Sequence, residues 1–442
     1  MSHQPFHLFE VAGVELEYMI VDRGTMNVAP VADQLLAAAD AASRGVAPGE
    51  GNAESDPEFV GQAGAIGWSN ELARHVIEFK TAHPVRTLDG LGDEFHANVK
   101  RANQMLSRIG AGGEGSGCCL LPAAMHMWMD PLKEMQIWPH GYKDVYEAFD
   151  RIFSCKGHGW ANLQSMHINL PFSGDEEFGR LHAAIRLVLP ILPALAASSP
   201  IMEGRATGLM DNRLEVYRHN SKRVPSVAGK VIPEPVYTES DYRKEILERI
   251  WHDLSPLDPA GVLRHEWANA RGCIARFTRG SIEIRVIDVQ ECPAADIGIA
   301  RAVIGLVERL VNTEAAERAG GAGARRAWPV QRLHEIFLCC VREADEAVIG
   351  DLDYLRAVGV DTHSPMRARE LWRLLAAMLP ASAGSDTLKV ILEHGCLSRR
   401  ILTRLGVRAG ERTSFTGDRG GTLRQCATEL ADCLSANHQL LC

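Results

Sequence analysis

Carboxylates and one histidine stand at alternate positions in four short segments far apart in the chain, and they are the residues best suited to do chemistry. The segments span residues 13–18, 76–81, 166–170 and 281–286, and their titratable residues include Glu15, Glu17, Glu78, His167 and Glu283. Carboxylates brought close together repel one another unless a cation neutralises them. Mg²⁺ prefers oxygen ligands, and Mn²⁺ also accepts an imidazole. The pattern therefore predicts a divalent-metal site that holds Mg²⁺ or Mn²⁺.

A β-sheet is the element that can hold these side chains together. Residues two apart in a strand point to the same face. Glu15 and Glu17 therefore share a face, as do Glu283 and Arg285, and the residues between them are apolar. Two solvated glutamates are the alternative for Glu15 and Glu17 taken alone. The four segments together predict a sheet with carboxylates in front and a hydrophobic core behind.

Glu71 is a sixth candidate ligand and lies seven residues before Glu78. On one unbroken strand these two side chains would face opposite sides. If both bind metal, a bulge or a change of structure must lie between them. The alternative is a helix that begins at Ser69 and has Glu71 in its first turn.

Basic residues form two groups that could bind anions. The segment 213–226 contains Arg218 and Arg223 and could hold a substrate carboxylate or a nucleotide phosphate, with a solvated loop as the alternative. The second group precedes the Glu283 segment and consists of Arg264, Arg271, Arg276 and Arg279. Arg285 could stabilise a transferring phosphoryl group, or it could form a salt bridge with a neighbouring carboxylate.

The bulk properties bound the class of protein. The chain has 442 residues, of which 46% are hydrophobic and 23% are charged, and its formal net charge is -9. This length allows one large domain or two to three smaller ones. The negative charge argues against nucleic acid and anionic membranes as partners. The eleven cysteines include no C-x-x-C pair, so we interpret them as reduced, mostly buried thiols of a cytoplasmic protein without a signal peptide.

The order of the predicted elements indicates an α+β fold. Helical spacing covers residues 31–42, 87–109, 144–153, 178–197 and 240–254, and a further helix begins at Pro293. The Gly-rich run 110–117 lacks the Gly-Lys-Ser/Thr ending of a phosphate-binding loop, so we interpret it as a flexible connection. A Gly/Ala-rich linker at 319–327 divides a domain at 1–318 from an all-helical region at 328–442.

The ordered series of motifs resembles glutamate–cysteine ligase family 2, within the glutamine synthetase-like superfamily. The motifs are GVELE at 13–17, Glu71 with EFKT at 78–81, QSMHIN at 164–169 and GSIEIRVID at 280–288. A stretch from 208 to 225 resembles the substrate-side loop of this family. The resemblance covers roughly residues 8 to 312, and Asn169 stands where some relatives carry a second histidine.

The resemblance implies a curved, mostly antiparallel sheet that carries the metals and is packed by helices. It implies ATP-dependent amide-bond formation, in which a carboxylate, commonly the γ-carboxylate of glutamate, is phosphorylated and an amine then attacks the acyl phosphate. The implied metal ligands are Glu15, Glu17, Glu71, Glu78, His167 and Glu283. The implied catalytic residues are Arg285 and Glu283, the ATP-binding residues Arg276, Arg279 and Arg285, and the substrate-binding residues Arg218, Arg223 and Asn169.

Two other functions are compatible with the same residues. The first is a metal-dependent hydrolase or phosphotransferase, and the second is a non-catalytic, ligand-binding relative. For the ligase, the expected partners are a small acid, glutamate above all, and an amine, with no nucleic acid and no membrane. Assembly into a homo-oligomer stays open.

Overall fold

The fold is mixed α/β and is built around one antiparallel sheet. The structure is a computed structural model that describes residues 6–44, 58–60, 65–110, 117–141, 143–313, 328–380, 383–415 and 419–441. The predicted linker at 319–327 lies outside the described residues, as does most of the Gly-rich run 110–117. The division into domains at 1–318 and 328–442 therefore stays a prediction.

Thirteen strands lie in the described residues: β1 Gly13–Asp22, β2 Glu58–Val60, β3 Ile66–Asn70, β4 Val76–Thr81, β5 Cys118–Leu121, β6 Ser165–Pro171, β7 Ile201–Met202, β8 Arg205–Thr207, β9 Cys273–Arg276, β10 Ser281–Asp288, β11 Val348–Ile349, β12 Met366–Arg367 and β13 Arg412–Ser414. The main sheet has eight strands in the order β2-β3-β4-β1-β6-β10-β9, with β5 paired to the second half of β1. Its pairings are all antiparallel.

The helices of the described residues are α1 Ala32–Arg44, α2 Leu91–Leu106, α3 Pro131–Glu134, α4 Lys143–Phe153, α5 His158–Ala161, α6 Gly174–Val188, α7 Leu192–Ala196, α8 Asn212–Tyr217, α9 Glu239–Tyr242, α10 Glu248–Leu254, α11 Pro293–Asn312, α12 Val330–Glu343, α13 Leu352–Ala357, α14 Ala368–Ala377, α15 Asp386–His394, α16 Leu397–Arg404 and α17 Arg419–Ala436. The predicted helices are confirmed with shifted ends. Short 3₁₀ and π turns join α6 to α7 and α9 to α10.

The register of β1 collects the polar residues on one face of the sheet. Glu15 pairs with Lys80 of β4 on one side and with His167 of β6 on the other, and Glu17 pairs with Glu78. Directly opposed residues on neighbouring strands lie on the same face. One face therefore carries carboxylates from β1 and β4 beside the histidine of β6.

The opposite face of the same strands forms the hydrophobic core. Val14, Leu16, Ile282 and Ile284 are fully buried. They belong to one apolar cluster that includes the inward stripe of α2, which consists of Leu91, Phe95, Val99, Ala102 and Leu106. This three- and four-residue spacing is the reason that the segment folds as an amphipathic helix. The core thus fixes the sheet, and the sheet fixes the polar face.

A β-bulge interrupts β10 at the site. The pairing with β6 shifts by one residue between Ile284 and Ile287, so that two residues of β10 lie opposite His167. A bulge reverses the alternation of the residues that follow it. Asp288 therefore pairs with Ser165 and faces the carboxylate side, whereas unbroken alternation would have turned it into the core.

One alternative about local structure is excluded, and one prediction is wrong. No helix begins at Ser69, because residues 66–70 form a strand paired with β4 and Glu71 lies in the connection between the two strands. The chain beyond 328 is not entirely helical, because it contains β11, β12 and β13. Strand β13 pairs with β8, so the C-terminal region shares a small sheet with the preceding part of the chain.

The stretch Gly174–Ala196 is the one helical segment of the described residues that is long and apolar enough to cross a membrane. Its most apolar window is 94% buried inside the protein. A core helix meets the same length and composition criteria, and Arg186 within the segment is buried and donates to the carbonyls of Pro233 and Trp328. The segment packs as a core helix in this fold.

Candidate active site

His167 lies at the centre of the polar face. Its Nδ1 is 3.0 Å from Glu15 Oε2 and 3.9 Å from Glu283 Oε1. Its Nε2 is 3.9 Å from Glu17 Oε1 and 2.9 Å from the hydroxyl of Ser165. One imidazole thus contacts carboxylates from β1 and β10, and each ring nitrogen faces a different glutamate.

Two groups of three residues could each hold a metal ion. Glu15, His167 and Glu283 form one group, and Glu17, Glu78 and His167 form the other, with the ligand atoms of each group within 4.8 Å of one another. Carboxylate oxygens with one imidazole nitrogen are a donor set that suits Mn²⁺ and, through the oxygens, Mg²⁺. The residues present fit such an ion.

Two carboxylates of the site have pKa values that are raised by burial and by the charges of their neighbours. Burial, together with the charge of Glu15, raises the pKa of Glu78 to about 7. Burial, with the charges of Glu78 and Glu17, raises the pKa of Glu71 well above its usual value. A cation between these groups would favour their ionised forms and lower both values.

Glu15 differs from these two because its partners outweigh its burial. Burial acts to raise the pKa of Glu15, but the hydrogen bond from His167, the charge of Lys80 and the Asn169 amide lower it to about 2. Burial acts to lower the pKa of His167, and its hydrogen bond with Glu15 and the charge of Glu17 raise it above the usual value. The partners of Glu15 therefore favour its ionised form.

Arg276 and Arg285 flank the carboxylate of Glu283. Arg276 donates to Glu283 Oε2 at 3.1 Å, and Arg285 Nε lies 3.1 Å from Oε1. Since Glu283 is buried, the two guanidiniums compensate a charge that would otherwise be costly. Arg285 also lines the adjoining cavity, which gives it access to a bound molecule.

A cavity of about 280 Å³ opens beside the carboxylate cluster. Its polar wall is formed by Glu17, Glu71, Ser165, His167, Arg213 and Arg285. Glu71 thus contributes to the wall, although it belongs to neither group of potential ligands. A molecule in this cavity would contact the carboxylate cluster directly.

Arg213 is the basic residue that the sequence did not single out. It is buried, donates to Asp288 Oδ1 at 3.2 Å and to the Arg285 carbonyl at 2.9 Å, and its Nε has no hydrogen-bond partner. Asp211 caps α8 by accepting from the Leu214 amide, and this cap fixes the first turn that carries Arg213. The cap motif ahead of the basic run signals the start of this helix, but not that Arg213 faces the cavity.

The remaining predicted site residues lie in different surroundings. Asn169 donates its amide to Glu15 Oε1 at 2.9 Å and is part of the cluster. Arg218 forms a two-pronged ion pair with Glu215, and Arg223 donates to the carbonyls of Arg151 and Ile152 at the end of α4. Arg279 is exposed in the turn between β9 and β10, and the structure does not bring it to the cavity.

A sheet with a buried carboxylate–imidazole cluster beside a cavity that also contains arginines is typical of enzymes that handle phosphates with the help of metals. The family model of glutamate–cysteine ligase family 2 matches residues 11–419. The chain belongs to this family, and it is a ligase of the glutamate–cysteine ligase-like, carboxylate–amine type.

Two curated relatives illustrate the sequence similarity. A protein of Archaeoglobus fulgidus, named only "Uncharacterized protein", is 35% identical over 342 residues, which are 77% of this chain and 82% of the relative. The Nocardioides sp. protein "Putative glutamate--cysteine ligase 2-1" is 28% identical over 323 residues, which are 73% of this chain and 72% of the relative.

Two solved structures share the fold at low identity. The glutamate–cysteine ligase of Francisella tularensis, solved with AMP, has a TM-score of 0.56 at 11% identity and is matched over 98% of this chain and 90% of its own. The bifunctional glutathione synthetase of Pasteurella multocida has a TM-score of 0.52 at 12% identity over 97% of this chain. This chain spans about half of that bifunctional protein, 52% of its length.

Proposed function

We propose that this ligase uses ATP to activate a carboxylate, that of glutamate above all, as an acyl phosphate, and transfers the acyl group to an amine to form a γ-glutamyl amide. The observation that carries the proposal is the pair of potential metal-binding groups that share His167 beside a cavity lined by Arg213 and Arg285. Family membership supports the use of ATP and of an acid with an amine.

In this proposal Glu15, Glu17, Glu78, His167 and Glu283 hold Mg²⁺ or Mn²⁺, and Glu71 completes the set from the cavity wall. When bound there, such an ion would supply the positive charge that neutralises and orients the phosphates of ATP. Asn169 holds Glu15 in place through its amide. Ser165 does the same for Glu17, because its backbone amide and its hydroxyl both donate to Glu17 Oε2.

Arg285 stabilises the charge of the transferring phosphoryl group, because its guanidinium lies between Glu283 and the cavity. Glu283 positions Arg285 and Arg276, so that its removal would disturb both the metal and the arginines. Arg276 is the second candidate for contact with ATP phosphates. Arg279 would join them only if its side chain turned inward from the exposed β9–β10 turn.

Arg213 is the residue that we assign to the anion of the substrate. Its unpartnered Nε lies in a buried side chain that lines the cavity, which leaves one donor for a bound carboxylate. Arg218 and Arg223 could bind substrate only by leaving Glu215 and the carbonyls of α4. We therefore favour Arg213 over Arg218 and Arg223 as the residue that binds the anion of the substrate.

Hydroxylamine provides the direct test of this function, because it is a small nucleophile that converts an acyl phosphate into a stable hydroxamate. We expect glutamate, ATP and Mg²⁺ to give hydroxamate and ADP in equal amounts. Reactions without ATP, or with a chelator in excess over the metal, are the controls and should give none. The absence of hydroxamate across a panel of acids would reject the proposal, and formation of AMP in place of ADP would replace the acyl phosphate with an acyl adenylate.

A further inference from the structure

Aromatic rings line part of the same cavity. Phe149, Trp160 and Trp267 form this aromatic wall, with Tyr146 and Tyr217 beside them. The ring centroids of Phe149 and Trp160 are 5.0 Å apart, and those of Phe149 and Trp267 are 5.7 Å apart. Rings at these distances and tilts pack as an aromatic cluster. All three of these rings line the cavity.

Two polar atoms of this wall have no hydrogen-bond partner among the residues that the structure describes. Trp160 Nε1 and the Tyr217 hydroxyl are both buried and make no hydrogen bond. Buried donors normally find a partner, so these two atoms mark unmet hydrogen bonding in the wall. The Tyr217 ring lies under the Arg213 guanidinium at 5.9 Å, so this residue joins the aromatic wall to the polar wall.

We propose that the amine substrate of this ligase carries an aromatic or similarly broad planar side chain, as an aromatic amino acid or an arylalkylamine does, and that the aromatic wall binds it. The proposal rests on the proposed ligase function, and it names the substrate class of the same site. The nitrogen of such an amine then lies at the polar wall, next to the activated carboxylate.

The lining of the cavity fits an amine with a planar side chain better than it fits glutamate. Glutamate is polar at both ends and gains nothing from a wall of rings. Adenine would also fit the rings, so the variants below measure KM for ATP beside KM for the amine. The carboxylate of an amino acid is complementary to Arg213, whose guanidinium lies over the Tyr217 ring of the aromatic wall.

A small amine such as cysteine would leave most of this wall uncovered. Its side chain is one methylene and one thiol, whereas the wall is formed by five rings. Apolar pockets discriminate by roughly 10- to 200-fold for a single missing methylene. We therefore expect a strong preference for the larger side chain.

The reaction balances with the substrates named. A carboxylate oxygen of the acid attacks the γ-phosphorus of ATP and displaces ADP. The amine nitrogen, in its neutral form, then attacks the acyl carbon and loses one proton, and the C–O bond to phosphate breaks. The products are the amide, ADP and inorganic phosphate, and no oxidant or reductant is consumed.

The test compares amines on the full-length enzyme, with hydroxylamine as the reference nucleophile. Phenylalanine, tyrosine, tryptophan and phenethylamine are compared with cysteine and alanine by ADP release and product mass. We expect kcat/KM for at least one aromatic amine to exceed that for cysteine by about tenfold or more. Equal or better use of cysteine or alanine, or hydroxamate formation without reaction of any aromatic amine, would overturn the inference. Failure to form hydroxamate would instead reject the ligase function, and the inference with it.

Two variants locate the occupant of the aromatic wall. Trp267→Leu removes one ring, and Trp160→Phe keeps the ring and removes the N–H donor. We expect each to raise KM for the aromatic amine, by about tenfold for Trp267→Leu, without a matching rise in KM for ATP. Trp251→Leu is the matched control, since Trp251 lies on α10 outside this cavity. A rise in KM for ATP alone would assign the wall to adenine and overturn the inference.

Discussion

At the scale of single residues, the central feature is the imidazole of His167, which is shared by the two potential metal-binding groups, each with two carboxylates. Glu15 and Glu283 lie on its Nδ1 side and Glu17 on its Nε2 side. Burial and the charges of neighbouring carboxylates raise the pKa values of Glu78 and Glu71, so a positive charge at the cluster would favour their ionised forms. A bound cation is the natural way to stabilise it.

Metal binding should stabilise the folded protein in a way that depends on Glu283. At a free concentration 100 times Kd, an ion that binds only the folded state adds about 2.7 kcal/mol to the free energy of unfolding. We expect Mn²⁺ or Mg²⁺ to raise the Tm of the wild type, and Glu283→Gln to reduce this rise and to lower kcat by at least about 100-fold. Glu239→Gln, at the exposed ion pair with Arg243, is the control. An unchanged metal effect in the Glu283 variant would contradict the assignment.

Arg213 should matter more for substrate than Arg218. Arg213→Lys keeps the charge but removes the planar fork, and we expect KM for the acid or the amine to rise by about 10-fold or more. Arg218→Lys, in which the changed residue pairs with Glu215, is the matched comparison and should change KM by less than about twofold. Steady-state kinetics with each substrate varied in turn would measure both. A larger rise in KM for Arg218→Lys than for Arg213→Lys would instead assign the substrate anion to Arg218.

At the scale of elements, strand alternation explains why much of the site could be predicted. Glu15, Glu17, Glu78 and His167 alternate with fully apolar neighbours, and the period of two is a local property of the sequence. Arg213, Arg218 and Arg223 lie in one basic run, and only the packing of α8 decides which of them turns inward. Tertiary packing of this kind has no local signature.

The β10 bulge was also beyond prediction from sequence. The residues 285–288 contain no glycine or other mark of a bulge, yet the shifted register turns Asp288 toward the cavity side. There Asp288 accepts from the Ser198 amide, the Ser199 hydroxyl and Arg213. The bulge therefore supplies the anchor that holds Arg213 at the cavity wall.

Asp288→Asn tests this anchor. The change keeps the shape but leaves the buried guanidinium of Arg213 without its counter-charge, and losing one partner of a buried pair costs about 3 kcal/mol. We expect the free energy of unfolding to fall by that amount and KM for substrate to rise. Denaturant unfolding measures the first effect, with Asp353→Asn at an exposed ion pair as the control. Equal stabilities of the two variants would show that the anchor is not needed.

At the scale of the whole molecule, three buried histidines make the stability depend on pH. Burial lowers the pKa of His75 to about 4, of His126 to about 4 and of His182 to about 3. Each ring lies against one carbonyl, those of Ala161, Met26 and Val236 respectively. The folded protein therefore keeps these rings neutral at pH values where the unfolded chain protonates them.

At these three histidines the unfolded chain binds more protons than the folded protein below pH 6.5, so their contribution to the free energy of unfolding falls as the pH falls from 6.5 toward 4. The raised pKa values of Glu71 and Glu78 act in the opposite direction. Between pH 6.5 and pH 5 each histidine contributes a loss of about 2 kcal/mol. His126→Gln should make this dependence less steep, and His252→Gln, at an exposed ring, should leave it unchanged. Denaturant titrations at several pH values measure the slope, and a slope that His126→Gln does not alter would contradict the burial account.

Transfer of a labelled oxygen atom from the acid to phosphate tests most directly the central claim that this ligase forms an acyl phosphate. Glutamate labelled with ¹⁸O in its γ-carboxylate is turned over with ATP, metal and the best amine, and the released phosphate is examined by ³¹P NMR or mass spectrometry. An acyl phosphate requires one labelled oxygen to leave with the phosphate of each turnover, and this is the predicted result. Unlabelled phosphate, or label in AMP, would contradict the account.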